Sequence, residues 1–175
     1  MTPGQHEAAF TALYQTHYAA VRSYASVCVR ASEVDDIVAD TFLVAWRRVA
    51  DIPDDWAKGW LIGVTRNVVR SRHRKAKRAT NFVEQLLDLR PATSTMLDGD
   101  DISIEDLDVL KTAFGKLKDS DQEILLLSGP YGMPNEEIAV ALDIKPNAVG
   151  VRLHRARTRL RAARDAQVSG GGEAA

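Results

Sequence analysis

A chain of 175 residues, 45% hydrophobic and 27% charged, has enough apolar surface for a core and enough charge to stay dispersed, which excludes wholesale disorder and leaves room for one ordinary domain or two small ones. Its single cysteine, Cys28, excludes an intramolecular disulfide or a thiolate metal cluster and fits a reducing compartment. The net charge of −1 would exclude a polyanion-binding protein if the charges were evenly spread, but they are not.

From Phe10 the positions Leu13, Tyr14, His17, Val21, Tyr24 and Cys28 recur at the spacing of one helix face. A second helix is expected from Ser32, with Asp35 three residues on as a near capping box. Val34, Ile37, Val38, Thr41, Phe42, Ala45 and Val49 form its buried stripe, and it should stop before Pro53. A third helix is expected from Asp54 or Asp55, burying Trp56, Trp60, Leu61, Val64 and Val68 and continuing as a basic rod to Lys77 or beyond. Arg66 to Arg78 holds seven basic residues and no acidic one, and Arg66, Arg70 and Arg74, four apart, make a stripe suited to successive phosphates. Both tryptophans can in principle stack on an unpaired base, but at helical spacing with Leu61 and Val64 they read as core.

After a short helical stretch, Phe82 to Leu89, the segment Pro91 to Ser103 is rich in Pro, Thr, Ser, Gly and Asp and reads as a domain boundary. Asp98 to Asp108 holds six acidic residues and no basic one, so the linker is acidic. Leu107, Leu110, Phe114 and Leu117 mark another helix, and Ile124, Leu125 and Leu127 one that ends at Gly129-Pro130. A short helix, Asn135 to Leu142, a tight turn at Asp143, and a longer helix from Pro146 through Arg164 then read as a helix-turn-helix. Val149 and Leu153 should face the core, leaving Asn147, Gly150, Val151, His154 and Arg155 for base edges and Arg152, Arg157, Arg159 and Arg161 for phosphates. The bland reading is a helical hairpin with a solvated basic face. Six basic residues from Arg152 to Arg164 with no acidic one argue against it, because such a run repels itself unless a polyanion compensates.

Three segments together resemble the extracytoplasmic-function sigma factors, a class of bacterial RNA polymerase sigma factors. Asp35 to Arg48 (DDIVADTFLVAWRR) resembles the family's polymerase-binding helix, Trp60 to Arg70 (WLIGVTRNVVR) its promoter-melting segment, and Leu117 to Arg161 its C-terminal helix-turn-helix. The resemblance covers most of residues 7–80 and 105–164 in the family's order. It implies that Asp36, Asp40, Leu43 and Arg47 dock on core RNA polymerase. It also implies that Arg66, Asn67, Arg70 and Arg74 follow the opened minus-10 strand, and that Asn147, Val151, Arg152, His154 and Arg155 meet the minus-35 duplex of promoter DNA. An anti-sigma factor is a further partner it implies. Gly150 and Val151 depart from the family, which commonly has a basic residue and then a serine there. Gly150 also weakens the helix by up to about 1 kcal/mol relative to alanine.

The expectation is therefore an all-α chain of two small helical domains joined by a flexible acidic linker. The N-terminal domain spans 5–80, the linker 81–103, the helix-turn-helix domain 104–165 and a disordered tail 166–175. Function should be promoter-directed transcription initiation by a cytoplasmic, non-enzymatic sigma factor, monomeric within the holoenzyme. No cofactor is expected and no metal either, since Asp35, Asp36 and Asp40 offer no third ligand on one face, nor is membrane insertion, since no window approaches the roughly 20 apolar residues of a span. The competing reading is a stand-alone helix-turn-helix regulator that binds duplex DNA as a dimer. It needs neither a second basic segment nor two tethered readers.

Overall fold

The computed structural model describes residues 1–73 and 104–171, and among these every regular element is helical. They form two compact units. The first is built from α1 (Pro3–Cys28), α2 (Ala31–Arg48) and α3 (Ala57–His73), with two 3-10 turns, Val49–Asp51 and Asp54–Trp56, between α2 and α3. The second contains α4 (Ile104–Gly115), α5 (Asp119–Ser128), α6 (Asn135–Leu142) and α7 (Pro146–Gly171).

α1 starts well ahead of the apolar periodicity at Phe10, because its cap is local. Thr2 is extended (φ −73°, ψ 159°) and precedes Pro3, whose ring suits a first helical turn. The Gln5 amide donates to Thr2 Oγ1 at 3.4 Å, while the Thr2 amide donates to Gln5 Oε1 at 2.9 Å. This reciprocal box satisfies two otherwise orphaned donors. α2 also corrects the expectation: its N-cap is Arg30, with no side-chain hydrogen bond. The Glu33 amide donates to the Arg30 carbonyl at 2.8 Å, so the first turn closes earlier and Ser32 lies inside it.

The three helices pack pairwise on one core of Val21, Ala25, Val34, Ile37, Val38, Phe42, Ala45, Ile52 and Leu61. Phe10, Leu13, Trp60 and Val68 pack against it from the partly buried shell. Tyr14, on the helix face that Leu13 and Val21 mark, is exposed, and Trp56, Trp60, Val64 and Val68, expected to be buried, are only half-buried. Between α2 and α3 the Thr41 and Thr65 hydroxyls, both fully buried, lie 3.3 Å apart. Each also donates to the carbonyl one turn back in its own helix, Ile37 and Leu61, at 2.8 Å. With its single proton given to its own helix, each buried hydroxyl is satisfied locally, and this lets the two helices approach without an unpaired donor between them.

In the second unit α4 and α5 both pack on α7, with Leu110, Phe114, Ile124, Leu125, Leu127, Val149, Leu153, Ala156 and Leu160 buried. The Gln122 side-chain amide donates to the carbonyls of Phe114 and Leu117 at 2.9 and 3.2 Å, satisfying groups that the end of α4 leaves open. α6 and α7 are joined through Asp143, which takes the left-handed conformation (φ 53°), as a turn aspartate can. α7 runs past Arg164 to Gly171, so residues 166–171 are helical rather than tail. The Ala- and Arg-rich run after Leu160 is a good helix former and carries the helix onward. Residues 172–175, the linker 81–103, the stretch Phe82 to Leu89 and the rod beyond His73, including Arg74, lie outside the described residues.

Candidate functional site

Three exposed helix surfaces carry the expected residues. On α2, Asp36, Asp40, Leu43 and Arg47 follow one another at steps of four, three and four, so at about 100° per residue they share one face. Leu43 is 48% exposed; Asp36 and Arg47 are exposed and Asp40 half-buried. Beside them, Trp46 is 41% exposed, although its ring is backed edge-on by His6 and Phe10, with centroids 4.5 and 5.0 Å away. Its place in the run Val-Ala-Trp-Arg gives no local signal of this, because the partners come from α1.

The carboxylates of this face do not pair with Arg47. Arg72, on α3, donates from Nε to Asp40 Oδ2 at 3.0 Å and from a terminal nitrogen to Asp36 Oδ2 at 3.3 Å. The hydrogen bond to Asp40, more than that to Asp36, pushes the Arg72 guanidinium above its already high range, so it stays charged at any working pH. Nothing local in the sequence marks Arg72, since its partners lie far away along the chain. It leaves the basic run through a side different from that of Arg66 and Arg70. Of the α3 residues expected on DNA, Asn67 and Arg70 are exposed and Arg66 is half-buried.

On α7 the inward face is buried Val149, Leu153, Ala156 and Leu160, and Asn147, Gly150, Val151, Arg152, His154 and Arg155 are all exposed. Arg159, expected at phosphates, has a partner within the chain. One of its guanidinium nitrogens donates to both oxygens of Asp121, at 2.9 and 2.8 Å, and the Asp121 side chain is only 10% exposed. The arginine is thus engaged in fastening α7 to the first turn of α5. Arg157 and Arg161 are half-buried.

Among the described residues no group of three His, Cys, Asp or Glu is placed to hold a metal ion, and no helix is long and apolar enough to cross a membrane. The described surfaces are a helix face that mixes apolar Leu43 with paired charges, and two cationic helices.

The family models for Sigma-70 region 2 and Sigma-70, region 4 match residues 13–79 and 107–160. RNA polymerase sigma factor CnrH of Cupriavidus metallidurans is 31% identical over 170 residues, covering 92% of this chain and 89% of the relative. ECF RNA polymerase sigma factor EcfG of Rhodopseudomonas palustris is 27% identical over 148 residues, covering 81% of this chain and 77% of the relative. The solved structure of CnrH in complex with the cytosolic domain of CnrY aligns with a TM-score of 0.60 at 27% identity, covering 90% of this chain and 88% of that one. With both Sigma-70 regions matched in order and relatives matched over most of their length, the chain belongs to the ECF RNA polymerase sigma factor family.

Proposed function

We propose that the three surfaces divide the work of a sigma factor, which binds RNA polymerase and directs promoter recognition and transcription initiation. The α2 face of Asp36, Asp40, Leu43 and Arg47 docks on core polymerase. Arg66, Asn67 and Arg70 of α3, with Arg74 beyond the described residues, follow the opened minus-10 strand. Asn147, Val151, Arg152, His154 and Arg155 of α7 engage the minus-35 duplex. The observation that carries this reading is the distribution of charge: on the docking face the carboxylates of Asp36 and Asp40 stand beside Arg72 and Arg47 around exposed Leu43, whereas α3 and the first turns of α7 carry arginines and no carboxylate. A polyanion is attracted by the two cationic helices and finds no net positive charge on the docking face.

CnrH is known in complex with the cytosolic domain of another protein, CnrY, and we infer that this chain is likewise restrained by a partner of the anti-sigma kind. The chain works as a monomer within the holoenzyme. The dimeric regulator weighed from sequence has no support in the family assignment.

Purified chain and core polymerase should together give run-off transcripts from genomic fragments, and sequencing the transcript starts identifies the promoter. Leu43→Asp places a charge in the centre of the docking face and should weaken core association at least tenfold, a loss of about 1.4 kcal/mol or more, while leaving the fold intact because the residue is exposed. Unchanged association in a labelled-chain anisotropy titration would remove the α2 face from the interface.

A further inference from the structure

At the centre of the cationic face of α7 stands an apolar side chain. Val151 is 52% exposed and lies two residues beyond fully buried Val149, hence about 200° around the helix, almost diametrically away from the core. Its surface neighbours one turn away are polar or charged: Asn147, His154 and Arg155, all exposed. A solvated summit gains nothing from a β-branched apolar residue, which is a weaker helix former than most polar alternatives. Beside it, Gly150 has nothing within 4 Å of the position a Cβ would take. No packing within the chain therefore requires glycine there, and its φ needs none of glycine's freedom. Two adjacent positions thus go against helix stability without any internal compensation, and both lie on the side that faces outward.

We propose that Val151 reads the C5 methyl of a thymine in the minus-35 element, with Gly150 letting the backbone of α7 approach the groove closely enough for that contact. This rests on the assignment of α7 to minus-35 DNA and specifies what it reads. The chemistry selects the base: the major-groove edges of guanine, cytosine and adenine present hydrogen-bonding atoms, whereas thymine alone adds a methyl group. Asn147, His154 and Arg155 supply hydrogen bonds around the apolar centre, and Val151 supplies none. A base step without a methyl leaves the valine against polar edges that it cannot satisfy.

The test uses holoenzyme and a promoter duplex found by mapping its transcript starts. Each minus-35 thymine, on either strand, is replaced in turn by deoxyuridine, which removes the methyl and keeps the pairing. One or two replacements should weaken promoter binding about fourfold, the worth of one methyl-sized group withdrawn from contact. The Val151→Ser chain, which puts a hydroxyl where the valine methyls stand, should bind the thymine and deoxyuridine duplexes alike. Gly150→Ala should raise the thermal stability of the free chain and yet weaken minus-35-dependent binding, a divergence that a merely structural role does not produce. Full tolerance of deoxyuridine with minus-35 dependence intact, or discrimination that survives in Val151→Ser, overturns the methyl contact alone. Binding indifferent to scrambling of the minus-35 element overturns the assignment of α7 to that element, and the methyl contact with it.

Discussion

The interhelical contacts of Arg72 and Arg159 look alike on paper and differ in what they do. Arg72 reaches Asp36 and Asp40 where all three side chains are 40% exposed or more, so water screens the attraction and removing it should change stability by less than about 1 kcal/mol. Arg159 reaches Asp121, whose side chain is only 10% exposed. The carboxylate cannot recover its lost hydration if the arginine is removed, and the penalty falls on the folded state. Because the guanidinium itself is half-exposed, the full buried-pair value does not apply, and Arg159→Ala should cost about 1–2 kcal/mol. Parallel urea melts of Arg159→Ala and Arg72→Ala check this. An equal and small effect of both would mean that Asp121 finds water when its partner is gone. The single-residue consequence is that the two acidic groups proposed for docking are held only weakly, by a residue of α3.

At the scale of the elements, the helices were legible wherever an apolar stripe ran at helical spacing, and less so at their ends. Val34, Ile37, Val38, Phe42 and Ala45 on α2, and Val149 and Leu153 on α7, are buried as the periodicity predicts. The start of α1 was missed because its signal is a capping box at Thr2 and Gln5 rather than a stripe, and the end of α7 because Gly170 and Gly171 weigh against a helix that its preceding Ala- and Arg-rich turns sustain. Of the proposed site residues, Asp36, Leu43, Arg47, Asn67, Arg70, Asn147, Val151, Arg152, His154 and Arg155 are exposed, Asp40 and Arg66 are half-buried and Arg74 lies outside the described residues; Trp46, Arg72 and Asp121 carry no local signal, because each is defined by a partner distant in sequence. The start of α2 offers a direct test of cap physics. Arg30 occupies the N-cap in extended conformation (φ −66°, ψ 152°) without a capping hydrogen bond, and Glu33 already stands at the third helical position. Arg30→Ser completes the Ser-x-x-Glu pattern, worth about 1 kcal/mol. It loses only the exposed Arg30–Glu33 ion pair (3.0 Å), a few tenths at about one helical turn's separation. The midpoint of thermal unfolding should therefore rise by roughly 2–6 °C; a fall would show that the ion pair outweighs the cap.

For the molecule as a whole, the proposed function assigns two cationic helices in separate units to different forms of the same nucleic acid. In that proposal α3 takes a single strand, which exists only after opening, and α7 takes duplex, which is there from the start. Once polymerase holds the first unit, the second acts at a high effective concentration, so neither reader needs high affinity alone. The two forms of DNA also leave different marks in a salt titration, because each neutralised phosphate contributes about 0.7 to the log–log slope on single strands and about 0.9 on duplex. Arg66→Ala with Arg70→Ala should leave core association unchanged, depress permanganate reactivity of the minus-10 region, and lower the slope for open-complex formation by about 1.4. Arg152→Ala should instead lower the slope for closed-complex binding by about 0.9 and leave the opening step, once bound, as it was. If the α3 pair weakened closed and open complexes equally, the basic stripe would be acting on duplex, and strand capture would have to come from residues other than Arg66 and Arg70.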